Sequence, residues 1–268
     1  MKLSDFYEVV EGVAPKRLSE EYCAQYEAYD NSGLLVDAQT DAQKALFSLD
    51  FSLSAVEKAI AEKATVIVTH HPAIYAKIGE IVSGDCLGNK LALCLKNGIS
   101  VISMHLNLDV APGGIDECLA EGVVRASGGG ESVQSLFQEL LDGSGAYGRV
   151  YTVGEKPLDE LAKALAKEFQ SNRILVYPFG EKTVKRVASY CGAGASEEAI
   201  DFALQKRADV MISSDFKHHI LAYAKERGLS VIVLTHYAAE NYGFKKYYEK
   251  IRERVEIPCV YHEDEELL

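Results

Sequence analysis

The stretch ATVIVTHHPAIY, residues 64–75, runs an apolar β-branched segment straight into His70 and His71, two of only seven histidines in 268 residues. A strand carried through both would send one ring to each face of its sheet, because successive side chains alternate. Pro72 lacks the ladder donor and restricts the residue before it, so the strand ends by this point and both rings project from its end. HLNLD adds His105 and Asp109, and HYAAE adds His236 and Glu240. Each of these pairs is four residues apart, a spacing that one helical turn or a compact loop turns to one side. Each element alone has an ordinary explanation: a strand cap, a common HxxxD, a surface ion pair. Together, three strand ends deliver imidazole and carboxylate, the ligand types of zinc, iron, manganese or nickel. Four histidines and two carboxylates exceed the needs of one tetrahedral ion. They suit two divalent ions about 3.5–4 Å apart, bridged by a carboxylate and a water, with His70 and His71 divided between them.

The elements that must position these groups alternate. SAVEKAIAEKA (54–64) carries the helical period and feeds the strand TVIVT; LGNKLALCLKNG reads as a helix closed by Gly98, and ISVISM as the next strand. Composition then shifts to SGGGESVQ and LDGSGAYG, which predicts a connection over 126–146 between lobes at 1–125 and 147–268. Beyond it GRVYTVG and KRVASYCG read as strands, PLDELAKALAKEFQ as a helix opened by Pro157, and EEAIDFALQKR, ADVMISS, ILAYAKERG and LSVIVLT as alternating helix and strand. Both halves thus end strands in histidine or aspartate, a weak internal repeat, and α/β sheets bind ligands beyond such carboxyl ends. The fold class expected is two related α/β lobes with mixed, largely parallel sheets and the metal site between them.

Composition bounds the function. The hydrophobic content of 48% and charged content of 25% are those of an ordinary globular protein. A formal net charge of −12 argues against a general nucleic-acid binder, which needs a basic footprint. No apolar run approaches the roughly 18 residues of a membrane span and no leader is evident at the amino terminus, so a cytoplasmic protein without a membrane partner is expected. The cysteines at 23, 86, 94, 118, 191 and 259 form no CxxC pair and predict six free thiols. GAGAS (192–196) precedes a helix and could cradle a phosphate, although a tight strand-to-helix turn explains it equally well; HEDEELL (262–268) reads as a solvated acidic tail.

The sequence resembles the Nif-three-like family of dinuclear metal-centre, ring-forming proteins, often called GTP cyclohydrolase type 2 homologues. YDNSGLLVD, THHP, HLNLDVAPGG, KRVASYCGAGAS, ISSDFKHH and THYAAENYG fall in family order over nearly the whole chain. The resemblance implies metal ligands at His70, His71, Asp109, His236 and Glu240, with Glu240 bridging, and places His105 near the metals. It implies supporting or substrate-facing roles for Asp215 and His219, and polar Asn107 stands beside them. Ser214 and Thr235 replace glycines usual in the family, which leaves the ligands intact and alters the substrate pocket. A homo-hexameric ring with metals facing an inner cavity is also implied.

Three functions compete. A metal-dependent hydrolase would act through a metal-bound water on a small molecule; the resemblance implies a nucleotide, GTP, with opening of the guanine ring and release of formate. A phosphoesterase would use the same ions. A non-catalytic regulatory or interaction protein would keep the ligands to join its halves, without open coordination or a polar pocket.

Overall fold

TVIVT and ISVISM are strands buried on both faces, as strands covered by helices must be, in the computed structural model of the protein, which describes residues 1–130, 135–180 and 182–268. By its internal contacts the chain forms two compact units: Met1–Ala111 with Phe244–Asp264, and Pro112–Gly243 with Glu265–Leu268.

The first unit begins with helices α1 (Leu3–Glu11) and α2 (Lys16–Tyr26), then strands β1 (Gly33–Val36) and β2 (Ala45–Ser48). Helix α3 (Leu53–Ala61) starts where the Ser52 hydroxyl accepts the Ala55 N–H, and leads to β3 (Val66–Thr69). Helix α4 (Cys86–Lys96), capped by the Asp85 carboxylate on the Gly88 N–H, leads to β4 (Ser100–Ser103), and α5 (Leu106–Val110) follows. Leu46, Val56, Ile67, Leu91 and Val101 are among the residues of its core.

The second unit carries α6 (Ile115–Ser127), β5 (Ser135–Glu139), β6 (Ala146–Pro157), α7 (Leu158–Glu168) and β7 (Ile174–Tyr177). It continues through β8 (Thr183–Ser189), α8 (Glu197–Gln205), β9 (Val210–Ser213), α9 (His218–Arg227) and β10 (Ser230–Leu234). Its sheet runs β5-β6-β8-β9-β10-β7, with β8, β9 and β10 parallel and the others antiparallel. Helix α10 (His236–Arg252) starts in this unit and passes at Gly243/Phe244 into the first, where β11 (Cys259–His262) pairs parallel with β2. The first unit's sheet is therefore β1-β4-β3-β2-β11, parallel except for β1.

The expected repeat is a repeat of topology. In the first unit β2, β3 and β4 run parallel and β1, the preceding strand, lies antiparallel on β4; in the second β8, β9 and β10 run parallel and β7 lies antiparallel on β10. Backbone bonding at the strand ends repeats as well. The N–H groups of His70 and His71 both donate to Leu49 O at 3.1 and 3.0 Å, and those of Ser214 and Asp215 both donate to Gly192 O at 3.3 Å. Ser214 and Asp215 thus stand where His70 and His71 stand in the first unit.

Contacts divide the chain at Ala111/Pro112 and inside α10, whereas composition pointed to 126–146. The glycines of that stretch serve local ends: Gly128 closes α6 in a left-handed conformation, and the turn between β5 and β6 is tied by Leu140 N–H to Gly145 O and Gly143 N–H to Leu140 O. Residues 131–134 of the expected connection lie outside the described residues. The carboxyl-terminal HEDEELL is not simply a solvated tail. His262 ends β11 opposite Ser48, Asp264 accepts the Ser54 hydroxyl at 2.7 Å, and Glu263 pairs with Lys245 at 2.5 Å. Although Ser54, His262 and Asp264 meet, Asp264 bonds the serine directly and shares the His262 Nε2 side, so the imidazole is not held between acid and hydroxyl as a nucleophilic triad requires. All six cysteines are free, and no helix among the described residues is long and apolar enough to cross a membrane.

Candidate metal centre

In the first unit the chain turns out of β3 at Thr69, before both histidines, as Pro72 predicted. Thr69 donates its hydroxyl to His71 O at 2.8 Å, and Ala73 N–H bonds the Ser103 hydroxyl at 3.0 Å, so the THHPA turn is clamped to the ends of two strands. The His70 and His71 rings stand side by side with centroids 5.0 Å apart, and His105 is 5.3 Å from one and 5.8 Å from the other. His70, His71 and His105 each offer a ring nitrogen within 4.8 Å of the other two. Asp109, buried one turn beyond His105 on α5, puts Oδ1 3.5 Å from His70 Nε2.

The Nδ1 atoms decide what the rings can do. His70 Nδ1 bonds Met104 O at 2.7 Å, His71 Nδ1 bonds Asp50 Oδ1 at 2.7 Å, and His105 Nδ1 bonds Asp30 Oδ1 at 2.7 Å. Each acceptor fixes a proton on Nδ1, which leaves the Nε2 lone pair as the donor to a cation and makes the ring a better base. Burial alone would raise the Asp30 carboxyl, but the hydrogen bond and charge of His105 and the hydroxyls of Ser19 and Ser32 bring it down to about 2. Burial opposes charge on His105, yet its bond to Asp30 and the nearby Asp109 carboxylate raise its pKa overall. Imidazoles whose Nε2 atoms are turned to one side by their Nδ1 bonds, beside a buried carboxylate, are the donor set of a divalent cation.

The second unit holds the matching pair. His236 opens α10 directly after β10, and Glu240, one turn on and buried, puts Oε2 3.0 Å from His236 Nε2. His236 Nδ1 again bonds a carboxylate, Asp215 Oδ2, at 2.8 Å. Gly192, the first residue of GAGAS, has φ +53°, and a β-carbon there would overlap Glu240 Oε1. GAGAS is thus a packing turn: Gly194 is pressed against Tyr147 and Tyr190, and the Ser196 hydroxyl caps α8 on the Ala199 N–H.

Among the expected residues, His70, His71, His105 and Asp109 form one group and His236, Glu240 and Asp215 another. Asn107 is fully buried and gives its amide to Ala14 O at 2.6 Å, which anchors the loop after α1. His219 is exposed in the first turn of α9 and belongs to neither group among the described residues. Sequence reasoning passed over Asp30, Asp50 and Gly192 as individual residues. Asp50 stands just past the end of β2, the same address as the histidines, and Asp30 lies inside YDNSGLLVD.

Residues 1–265 match the family model Duf34/NIF3 (NGG1p interacting factor 3). A Methanocaldococcus jannaschii protein named GTP cyclohydrolase 1 type 2 homolog is 30% identical over 262 residues, 97% of this chain and 98% of that one. A Clostridium perfringens protein of the same name is 27% identical over 96% of this chain and 93% of its own length. Among solved structures, reduced HcgD from Methanocaldococcus jannaschii superposes with a TM-score of 0.79 at 28% identity, covering 97% of both chains. A Staphylococcus aureus hypothetical protein gives 0.82 at 22% identity, covering 99% of this chain and 97% of that one, which speaks to the fold alone.

Proposed function

We propose a function from the premise that the chain belongs to the Duf34/NIF3 family: it is a metal-dependent hydrolase of a small molecule, in which the two histidine–carboxylate groups jointly hold two divalent ions. The observation that carries this reading is the repeated anchoring of Nδ1 at His70, His71, His105 and His236, which leaves every Nε2 suited to a metal. His70, His71, Asp109, His236 and Glu240 would be the ligands, with Glu240 shared between the ions and His105 beside them. When bound, such ions supply Lewis acidity, lowering the pKa of a water toward neutrality and polarising the bond under attack. The chain's own residues do the rest. Asp109 and Glu240 would offset the cationic charge, Asp30, Asp50 and the Met104 carbonyl hold the rings in place, and exposed Asp215, bonded to His236, would relay the proton lost by the attacking water to the leaving group. The ring-shaped homo-hexamer implied by the resemblance belongs to the same proposal.

Elemental analysis of protein purified without added metal or chelator should give close to two divalent ions per chain. Glu240→Gln should lower the occupancy of both. One ion fully retained in that variant would refute the bridge. The metal-loaded protein should hydrolyse at least one compound in a panel of nucleotides, including the GTP that the relatives' names suggest, and phosphoesters. Full metal with no turnover across the panel would favour the regulatory reading. Sedimentation of the same sample tests the hexamer.

A further inference from the structure

A cavity of about 550 Å³ lies within the second unit, in the range of small-molecule sites. Its apolar wall is Leu175 and Val233, cross-strand partners on β7 and β10, with Leu221 of α9; Tyr177 and Phe216 add aromatic surface. The polar lining is Ser214, Asp215 and Lys217, three residues of the loop after β9. That loop is held in advance of any ligand, because Gly192 O accepts the N–H groups of Ser214 and Asp215 and the Ser213 hydroxyl. Two of the polar residues have unused capacity. The Ser214 hydroxyl is buried with no hydrogen-bond partner, and a buried polar atom so placed costs stability until something bonds it. Lys217 forms no ion pair among the described residues.

From these groups we infer that the cavity binds a flat aromatic or heteroaromatic molecule with a single negative charge. Its ring lies on the apolar wall and its anionic group meets Lys217; the Ser214 hydroxyl, enclosed behind the wall that the residue lines, turns about its Cα–Cβ bond to donate to a ring acceptor. One cation limits the charge that can be balanced, and the Asp215 carboxylate repels a polyanion. Ser214 is the specificity residue, since it stands in the place that His70 occupies in the first unit and puts a hydroxyl there in place of a metal donor. Asp215 both lines the cavity and bonds His236 Nδ1, so the occupant lies next to the candidate metal ligands. That the occupant is the molecule hydrolysed rests on the function proposed above; that it binds does not, so the test is run without metal.

The probes are quinoline-3-carboxylate, its neutral amide quinoline-3-carboxamide, 2-naphthoate (which lacks the ring acceptor) and GTP, titrated calorimetrically into the full-length protein in excess chelator. The carboxylate should bind at least fivefold more tightly than its amide and more tightly than GTP. Lys217→Gln, a change on an exposed side chain, should bring the carboxylate down to the level of the amide. Ser214→Ala should weaken quinoline-3-carboxylate about threefold to tenfold, the effect of one hydrogen bond, while leaving 2-naphthoate unchanged. The inference is overturned by no binding of the carboxylate, by GTP binding more tightly, by an affinity indifferent to Lys217→Gln, or by equal effects of Ser214→Ala on both ring systems. Failure of the metal analysis with success here would leave a binding pocket without the hydrolase; the reverse would leave the hydrolase with a different substrate.

Discussion

Gly192 leaves room for the Glu240 carboxylate: a β-carbon on residue 192 would overlap Oε1 and come within 3.4 Å of the His236 ring. Gly192→Ala should therefore do more than pay the roughly 1–2 kcal/mol of left-handed backbone strain at φ +53°. It should displace Glu240 and reduce metal content in elemental analysis, while the metal-free protein melts only a few degrees lower. Gly143→Ala is the control, because φ is +70° there too but the turn between β5 and β6 has open space around it. If both variants keep their metal equally, Gly192 has no role in placing Glu240.

The carboxylates behind the imidazoles can be tested one at a time. Asp50→Ala removes the acceptor at His71 Nδ1 and should weaken metal binding about 10- to 100-fold in competition with a chromophoric chelator. Asp50→Asn keeps an oxygen acceptor and should lose less. An Asp50→Ala affinity equal to that of the unaltered protein would mean that His71 is held by its backbone alone.

Asp116 joins α6 to the strand and loop beside Gly192. Its carboxylate meets the Arg149 guanidinium in a buried ion pair and accepts the N–H groups of Gly148 and Cys191 at 3.0 and 3.2 Å. Asp116→Ala removes the close partner of a buried guanidinium, leaving it Glu117 at 3.6 Å, and should cost about 3 kcal/mol in urea denaturation, the low end for a broken buried pair. A loss below about 1 kcal/mol would show that water or rearrangement replaces the carboxylate.

Burial works against the Asp264 carboxylate, but hydrogen bonds from Ser54, His262 and Ser52 lower its pKa overall. A carboxyl depressed in the folded state contributes stability above its unfolded pKa of about 3.9 and loses it as pH falls through the folded value. Asp264→Asn should be less stable than the parent at pH 7, and the gap should narrow steadily below about pH 4. Thermal melts at pH 7, 4 and 3 measure this, and a gap that widens on acidification would contradict the assignment.

Much of this arrangement was legible because the candidate metal donors sit where chain direction puts them, just past buried strands. TVIVTHHP shows the strand, its stop and the rings in one reading, and the HLNLD and HYAAE spacings correspond to single helical turns at α5 and α10. What escaped was short or sparse. β1, β7 and β11 have four residues each and are recognisable only by the neighbours they pair with. α2 buries only Leu18, Ser19 and Tyr22, too thin a stripe to declare a helix. Asp50 looked like any acidic residue in a loop, since its purpose depends on His71, 21 positions later and a strand away.

The first unit is not continuous in sequence: β11, the outer neighbour of β2, is reached only after the chain has run through the second unit and down α10. During synthesis, then, β1 to β4 are made before the second unit but wait with the edge of β2 open until Cys259–His262 leave the ribosome. An unpaired edge of buried, apolar sequence is a template for wrong partners. The order of translation makes β11 a closing step for a sheet whose other strands precede the second unit, and stalling or truncation before residue 259 should harm the first unit before it harms the second.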